Sequence, residues 1–343
     1  MSTIDFAGLS RRLHSQLFRI ALLRRVVRIL SVFVYLFVFC WLMFVLFGGM
    51  LAAYIGSENY GLVTQYIVPV FIGFCVVNFL FSRSLMAFLR QEADAMRNIM
   101  TAMFPSVRFS FSGYVDKRIL AESKLFTTLF SDPELAANTY GAIEIPRNGH
   151  SLHVADVSIS YGLMNKWQHN SILGYLVLIY RFSLKPLFAS RVESSSDNFR
   201  GMFGWCKFDK NFRGNVIILP DHLEQKIGYL AKNIQGLKKL HGNHLIQLED
   251  PQFENYFSVY TEDEVSARML LTPAMMRRIT ELRQSFGHDI MLSFNRDTFC
   301  YAASMPSGFL RLRPKALNNE KLLEEIYNEI SLSCHVIDEL KLE

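Results

Sequence analysis

The chain has 343 residues, of which 50% are hydrophobic and 20% are charged, and its mean hydropathy is +0.17. Its formal net charge of +5 lies wholly in residues 1–100, which contain nine arginines, no lysine and four carboxylates. The charges of the remaining residues sum to zero, so the positive charge does not indicate a nucleic-acid partner, and we expect none. The five cysteines are widely spaced, which argues against a disulfide framework and is typical of reduced thiols in a cytosolic setting.

Residues 1–28 predict a basic amphipathic helix. Five apolar residues recur at intervals of three and four and so share one helical face: Phe6, Leu9, Leu13, Leu17 and Ile20. Arg11, Arg12 and Arg19 lie off this face. We expect such a helix to lie in the membrane interface and to favour anionic lipid. The alternative is that its apolar face binds a protein partner.

Two apolar stretches follow, and together they predict a transmembrane hairpin over residues 29–82. Residues 29–55 contain no charged side chain and exceed the ~20 residues that cross a bilayer. Residues 61–81 are less apolar and contain Pro69. We interpret this second stretch as a proline-kinked helix packed on the first span. A helix break at a transport site is the alternative.

The arginines predict the orientation of this hairpin. They flank both spans, whereas the turn at Ser57–Asn59 contains only Glu58. The positive-inside rule therefore predicts that the turn is outside and that both termini are cytoplasmic. The arginines that we assign to the membrane surface are Arg11, Arg12, Arg19, Arg24, Arg25, Arg28, Arg83 and Arg90.

The rest of the chain predicts a membrane-proximal helix over residues 83–104, which Pro105 ends, and a cytoplasmic domain over residues 105–343. The predicted strands cover residues 107–111, 142–145, 152–159, 201–208, 215–219, 257–260, 290–294, 298–304 and 309–312. Two hairpins are expected, around residues 209–211 and around residues 295–297. Four helices are predicted. The first covers residues 221–242, the second is short and begins at Thr261, the third runs from Thr272 to near Gly287, and the fourth covers residues 320–340. Because helices and strands interleave without a βαβ rhythm, the predicted class is α+β with an N-terminal transmembrane helical hairpin.

One apolar stretch, Ile172–Phe188, is open to three interpretations. A buried strand is favoured because nine continuous apolar residues are too few to span a bilayer. An interfacial or re-entrant segment and a third span are the alternatives. Whether this stretch contacts the membrane is left open by the sequence.

The region after residue 247 resembles a known family. The run LEDPQFENYFSVY, from Leu248 to Tyr260, and the later Ala267-Arg268 and Thr272-Pro273 resemble the signature of a bacterial family catalogued as domain of unknown function 3137. Upstream, Phe199–Phe203, Phe212–Gly214 and Glu122–Phe126 resemble its other motifs, so the resemblance covers roughly residues 85–343. The matching signature residues are Asp250, Pro251, Phe253, Phe257, Tyr260, Ala267, Arg268, Thr272 and Pro273. The resemblance implies two N-terminal spans in the bacterial inner membrane, a cytoplasmic domain, and no catalytic residues, so we expect this signature to be structural.

No catalytic, cofactor or metal motif is predicted. His241 and His244 are three residues apart, but no cysteine or carboxylate completes a ligand set, so a solvated loop is the preferred interpretation. The acidic cluster Glu262-Asp263-Glu264 stands at a predicted helix start, where carboxylates favour the helix dipole, and Arg268 is placed to pair with it.

Three functions remain in competition. The leading hypothesis is a non-catalytic, membrane-anchored interaction or assembly protein, because the domain is neutral, tethered and poor in motifs. A membrane-tethered enzyme of unrecognised class is the second, and a lipid-handling or bilayer-sensing protein is the third. The expected partners are membrane lipids, with anionic lipid favoured, and a protein partner or a second copy of the chain.

Overall fold

The computed structural model describes the greater part of the chain. The described residues are 5–56, 61, 65–111, 113–126, 136–146, 151–160, 199–207, 214–221, 244–305, 308–310, 312 and 320–340. Four predictions therefore lie outside them: the turn at residues 57–59, the stretch Ile172–Phe188, the turn at residues 209–211, and the helix of residues 221–242 beyond its first residue.

Helices and strands are numbered in chain order. The helices are α1 (Phe6–Ile55), α2 (Ile67–Met103), α3 (Lys117–Glu122), α4 (Pro251–Glu254), α5 (Glu264–Leu270), α6 (Pro273–Phe286) and α7 (Glu320–Leu340). The strands are β1 (Arg108–Ser110), β2 (Ala136–Pro146), β3 (Ser151–Ser160), β4 (Phe199–Lys207), β5 (Asn215–Pro220), β6 (His244–Ile246), β7 (Phe257–Thr261), β8 (Ile290–Asn295) and β9 (Thr298–Ser304). The residues divide into two compact units, a hairpin unit (described residues 12–95) and a sheet unit (residues 5–11 and those from 96 onward).

The two N-terminal helices are longer than the predicted spans. With 50 residues, α1 is about 75 Å long, and α2, with 37 residues, is about 55 Å long. By length and composition both could cross a membrane. No break occurs at residue 28 or residue 83, so each helix joins two predicted segments. Pro69 lies in the first turn of α2, where its missing N–H removes no intrahelical hydrogen bond.

The sheet unit contains a nine-stranded antiparallel sheet with the order β1-β2-β3-β4-β9-β8-β5-β7-β6 among the described residues. The long apolar helices and this mixed helix and sheet unit confirm the predicted α+β class. The predicted β8–β9 hairpin is confirmed, with Asn295 opposite Thr298 and Arg296 in the left-handed region at φ 53°. The predicted terminal helix is confirmed as α7.

Two strand predictions are wrong. The segments β4 and β5 are strands, but they do not form a hairpin, because β9 and β8 lie between them and pair with each. A two-residue turn closes the hairpin of β8 and β9. Both strands of this hairpin lie between β4 and β5 in the sheet. Phe309 and Leu310 are buried but lie in a bend rather than in a third strand.

Both faces of the central strands are covered. On one face Val157, Phe203 and Ala302 pack in an apolar cluster with Leu120 of α3 and with Phe126, whose ring centroid lies 6.0 Å from that of Phe203. The opposite face carries Met202, whose sulfur accepts a hydrogen bond of 3.0 Å from Ser333 of α7. Successive side chains of a strand point to opposite faces, so burial on both faces explains the unbroken apolar runs of β5 and β8.

Candidate functional site

The apolar hairpin presents an extensive exposed surface among the described residues. Within the hairpin unit the rings of Phe37 and Phe74 stack with centroids 4.1 Å apart, and Trp41 lies 6.4 Å from Phe71. The helices therefore run antiparallel. Many large apolar side chains between residues 29 and 80 face outward, among them Phe33, Leu46, Met50, Val68, Ile72 and Phe79. An exposed apolar surface of this extent is typical of contact with lipid or protein.

The charged residues of the hairpin unit begin at one level on both helices. Arg28 stands nine residues before Phe37, and Arg83 stands nine residues after Phe74. Because Phe37 and Phe74 stack across antiparallel helices of equal rise, Arg28 and Arg83 lie at the same level. The described residues between these arginines and the turn carry no charge. We call this level the arginine boundary, defined by Arg28 and Arg83.

A buried ion pair joins the two helices beyond that boundary. The guanidinium of Arg24 lies 3.6 Å from the carboxylate of Glu92, and the two side chains are 16% and 4% exposed. The same guanidinium lies 5.3 Å from the centre of the Phe88 ring. Arg24 was predicted to face the membrane surface, and the structure corrects this: it is turned toward the second helix.

The other arginines of that prediction have different surroundings. Arg28 is half-buried, whereas six remain exposed: Arg11, Arg12, Arg19, Arg25, Arg83 and Arg90. The predicted apolar stripe is buried in protein, since Leu17 is 3% and Ile20 0% exposed. At its start, the ring of Phe6 meets that of Tyr327 edge-on at 5.7 Å within the sheet unit. The burial of Leu17 and Ile20 favours the alternative interpretation, in which the apolar face of this helix contacts protein.

In the sheet unit, the signature residues form helix starts and core contacts. The Asp250 carboxylate accepts hydrogen bonds from the backbone N–H groups of Gln252 and Phe253, at 3.0 and 3.1 Å. Thr272 caps α6 by accepting from the Met275 N–H at 3.3 Å. Pro251 and Pro273 occupy the first helical turns, where their fixed φ suits the helix.

The remaining signature residues hold the segment between these caps. Phe253 packs against Phe257 at 5.0 Å, and both are buried, as are Tyr260 and Ala267. Arg268 donates to Glu264 Oε1 at 2.8 Å, as predicted, and also to the Gln247 carbonyl at 3.0 Å. These contacts stabilise the local fold.

The three adjacent carboxylates have separate structural partners. Glu262 accepts from Lys124 at 2.9 Å, while Glu264 pairs with Arg268. Asp263, rather than the predicted Thr261, caps α5 by accepting from the Val265 N–H at 3.1 Å. No group of three metal-ligating side chains occurs in the described part of the chain, and His241 lies outside that part. His244 lines a cavity of about 450 Å³ together with Arg268.

Two features of the sheet were not predicted from the sequence. Asp156 in β3 is wholly buried and accepts a hydrogen bond of 2.6 Å from Arg200 in β4. The guanidinium of Arg200 also lies 4.1 Å from the centre of the Tyr140 ring. An aspartate inside an otherwise apolar strand is the signal that could have revealed this pair. The second feature is an open cleft of about 320 Å³ lined by the stacked rings of His153 and Trp205.

Two thiols of the sheet unit, those of Cys206 and Cys300, are buried. Cys206 lines this cleft, but burial raises the pKa of its thiol from 9.0 to about 12. Burial also raises the pKa of Cys300, with smaller contributions from Cys206 and Glu122. A thiol must ionise to attack an electrophile, so neither cysteine is activated near neutral pH.

The C-terminal part of the chain matches the model of a known family. The model of the family described as "Protein of unknown function (DUF3137)" matches residues 197–342. This part of the chain is similar to that family. The DUF3137 match confirms the predicted resemblance and contains all nine signature residues. It begins after Glu122–Phe126, so that earlier motif lies outside it. The family is one of unknown function.

The whole chain has one distant structural neighbour to report and no curated relative. None of the curated proteins matches it. A crystal structure of the mycobacterial trehalose monomycolate transport factor A is similar to 71% of this chain and to 95% of that protein, with 8% sequence identity and a TM-score of 0.36.

Proposed function

We propose that this protein is a non-catalytic interaction protein anchored in the bacterial inner membrane. Helices α1 and α2 cross the bilayer as a hairpin, with both termini in the cytoplasm. The hairpin holds the DUF3137 domain at the cytoplasmic face, where it contacts a protein partner or a second copy of the chain.

The arginine boundary carries the proposal. Arg28 and Arg83 end the uncharged lengths of both helices at one level, as expected of two helices that leave a bilayer together. From Ile29 to Ile55 the first helix has 27 uncharged residues, or about 40 Å, which exceeds a hydrocarbon core of ~30 Å. The turn between the helices contains Glu58 and no arginine or lysine.

An exposed apolar face supports the interaction role. Val265 and Met269 are 69% and 75% exposed and stand four residues apart on α5, so they share one helical face. Leu245 on β6, next to β7, is 50% exposed. Methionine adapts its shape to a partner, which suits a binding surface.

Topology is tested with reporter fusions at Asn59 and at Glu343 of the full chain. We expect activity from the cytoplasmic reporter at Glu343 and from the periplasmic reporter at Asn59. Alkaline carbonate should leave the protein in the membrane. Reporters that place both positions on one side would overturn the proposal.

The interaction role is tested by photo-crosslinking in native membranes. A photoreactive residue at Val265 or Met269 should give one discrete adduct, and an adduct of twice the chain mass identifies a second copy. The matched controls are Glu281 and Ser285, which are exposed on α6. Equal crosslinking at all four positions would overturn the role of this face.

A further inference from the structure

The arginines of the hairpin differ in their distance from the uncharged lengths of the helices. We propose that anionic phospholipid headgroups bind at Arg25, Arg28 and Arg83, and that Arg11, Arg12 and Arg19 take no part. This inference rests on the proposed insertion of the hairpin. We call the first three residues the inner arginines and the other three the outer arginines.

Position along the helices places the inner arginines at the headgroups. Arg28 and Arg83 define the arginine boundary, and Arg25 lies one helical turn from Arg28. When the uncharged lengths fill the hydrocarbon core, the next residues on each helix enter the phosphate layer. Arginine and lysine side chains at that level extend toward the interface.

Orientation also favours lipid contact. The buried side of α2 carries Phe81, Leu85 and Phe88, each of which is less than 9% exposed. Arg83 stands two residues from both Phe81 and Leu85, which places it about 200° around the helix from each, on the outer side. Its guanidinium lies 5.7 Å from the centre of the Phe79 ring, one turn toward the apolar length. Arg83 is thus held at the edge of the apolar surface.

The charge of the inner arginines is available to a ligand. No carboxylate of the described residues forms an ion pair with Arg25, Arg28 or Arg83, in contrast to the pair of Arg24 with Glu92. A phosphodiester supplies the complementary charge, and the planar guanidinium matches its oxygens with two parallel hydrogen bonds.

The outer arginines are too distant to take part. Within the hairpin unit, Arg12 lies 16 residues from Arg28, or about 24 Å along α1, and Arg19 lies nine residues away, or about 14 Å. The surface field of a bilayer decays over ~8 Å at physiological ionic strength. A typical helix tilt of ~20° shortens these distances by less than a tenth.

The test uses the full chain in detergent micelles, with binding of phosphatidylglycerol measured by native mass spectrometry. The triple variant R25Q/R28Q/R83Q should bind it about a hundredfold more weakly, since each arginine near an anionic surface contributes a factor of about five. The control R11Q/R12Q/R19Q removes the same charge and should bind within twofold of the unaltered protein. The variant R25K/R28K/R83K keeps the charge but loses the paired hydrogen bonds of the guanidinium, so it should bind more tightly than the glutamine triple and more weakly than the unaltered protein. Binding as weak as that of the glutamine triple would overturn the role of charge.

Further arms identify the ligand and separate this inference from the proposed function. Phosphatidylcholine should bind weakly to all variants, and millimolar inorganic phosphate should not displace phosphatidylglycerol. Equal losses in the two glutamine triples, no loss in either, or equal binding of both lipids would overturn the inference. In those cases the reporters at Asn59 and Glu343 would still lie on opposite sides of the membrane. If the proposed insertion of the hairpin is wrong, the two reporters instead lie on the same side.

Discussion

Arg200 donates a hydrogen bond of 2.6 Å to Asp156 across two neighbouring strands, in a place where Asp156 has no solvent exposure. Little space is left around the Arg200 guanidinium. A Cβ on Gly308, whose φ is +83°, would lie 2.7 Å from a guanidinium nitrogen of Arg200. A buried pair of this kind makes each charge depend on the other, because water cannot replace a missing partner.

Replacing one member of this pair should destabilise the sheet unit strongly. A buried charge left without its partner costs about 3–5 kcal/mol, which corresponds to a fall in Tm of roughly 6–20 °C for a domain of this size. We expect this loss of stability for Asp156→Leu and for Arg200→Met. Thermal unfolding of the full chain in detergent, monitored by near-UV circular dichroism, measures it.

The double variant D156L/R200M should lose much less than the sum of the single losses. The surface pair Lys207–Asp297 provides the control, since its side chains are 73% and 52% exposed at 3.9 Å. Asp297→Asn should change stability by less than about 1 kcal/mol. Additive single losses, or losses no larger than this control, would contradict the interpretation.

Gly204 is required by the ring opposite it. It pairs with Tyr301 across β4 and β9, and a Cβ at Gly204 would overlap the Tyr301 ring. Gly204→Ala should therefore lower the unfolding free energy by about 1–3 kcal/mol, as overpacking does. Gly73→Ala on α2 is the control, because its added Cβ has no described atom within 4 Å apart from those of its own helix turn, and alanine favours a helix. Equal Tm values for the two variants would refute this account.

The caps of the family signature should contribute measurably to stability. Thr272→Ala removes the acceptor for the Met275 N–H and should cost about 1 kcal/mol, or roughly 2–4 °C in Tm. Ser285→Ala in the same helix removes only an exposed hydrogen bond of 3.0 Å to the Glu281 carbonyl and should be close to neutral. If both substitutions have the same effect in thermal unfolding, the cap is not the reason for the signature.

The buried thiol of Cys206 should make stability fall at alkaline pH. Its pKa is about 12 in the folded state and 9.0 ordinarily, so above pH 9 the unfolded chain loses a proton that the folded chain keeps. The contribution of this thiol to stability is then complete below pH 9 and falls by about 1.4 kcal/mol per pH unit up to pH 12. Cys206→Ala should reduce the fall of Tm between pH 9 and pH 10 without abolishing it, because burial also raises the pKa of Cys300. An unchanged slope in that variant would count against a buried neutral thiol.

Local patterns in the sequence were enough for several elements. The uncharged run from Ile29 to Ile55 predicts a helix that ends where α1 ends. Thr272-Pro273 and Gly287 mark both ends of α6, because a capping side chain, a fixed φ and a left-handed residue act within a few positions. The two-residue turn before Thr298 likewise determines its own hairpin.

Long-range pairing was decided by the tertiary structure alone. Nothing near Lys207 in the chain signals that β9, about ninety residues later, pairs with β4 in place of β5. The stripe of Leu17 and Ile20 fits a lipid surface and a protein surface equally well, since apolar periodicity reports burial but not what covers it. The partners Glu92 for Arg24 and Asp156 for Arg200 follow from which helices and strands lie side by side. The sequence alone thus determined the elements and the uncharged spans, while the pairing of distant residues required the fold, because its free energy depends on the whole packed core.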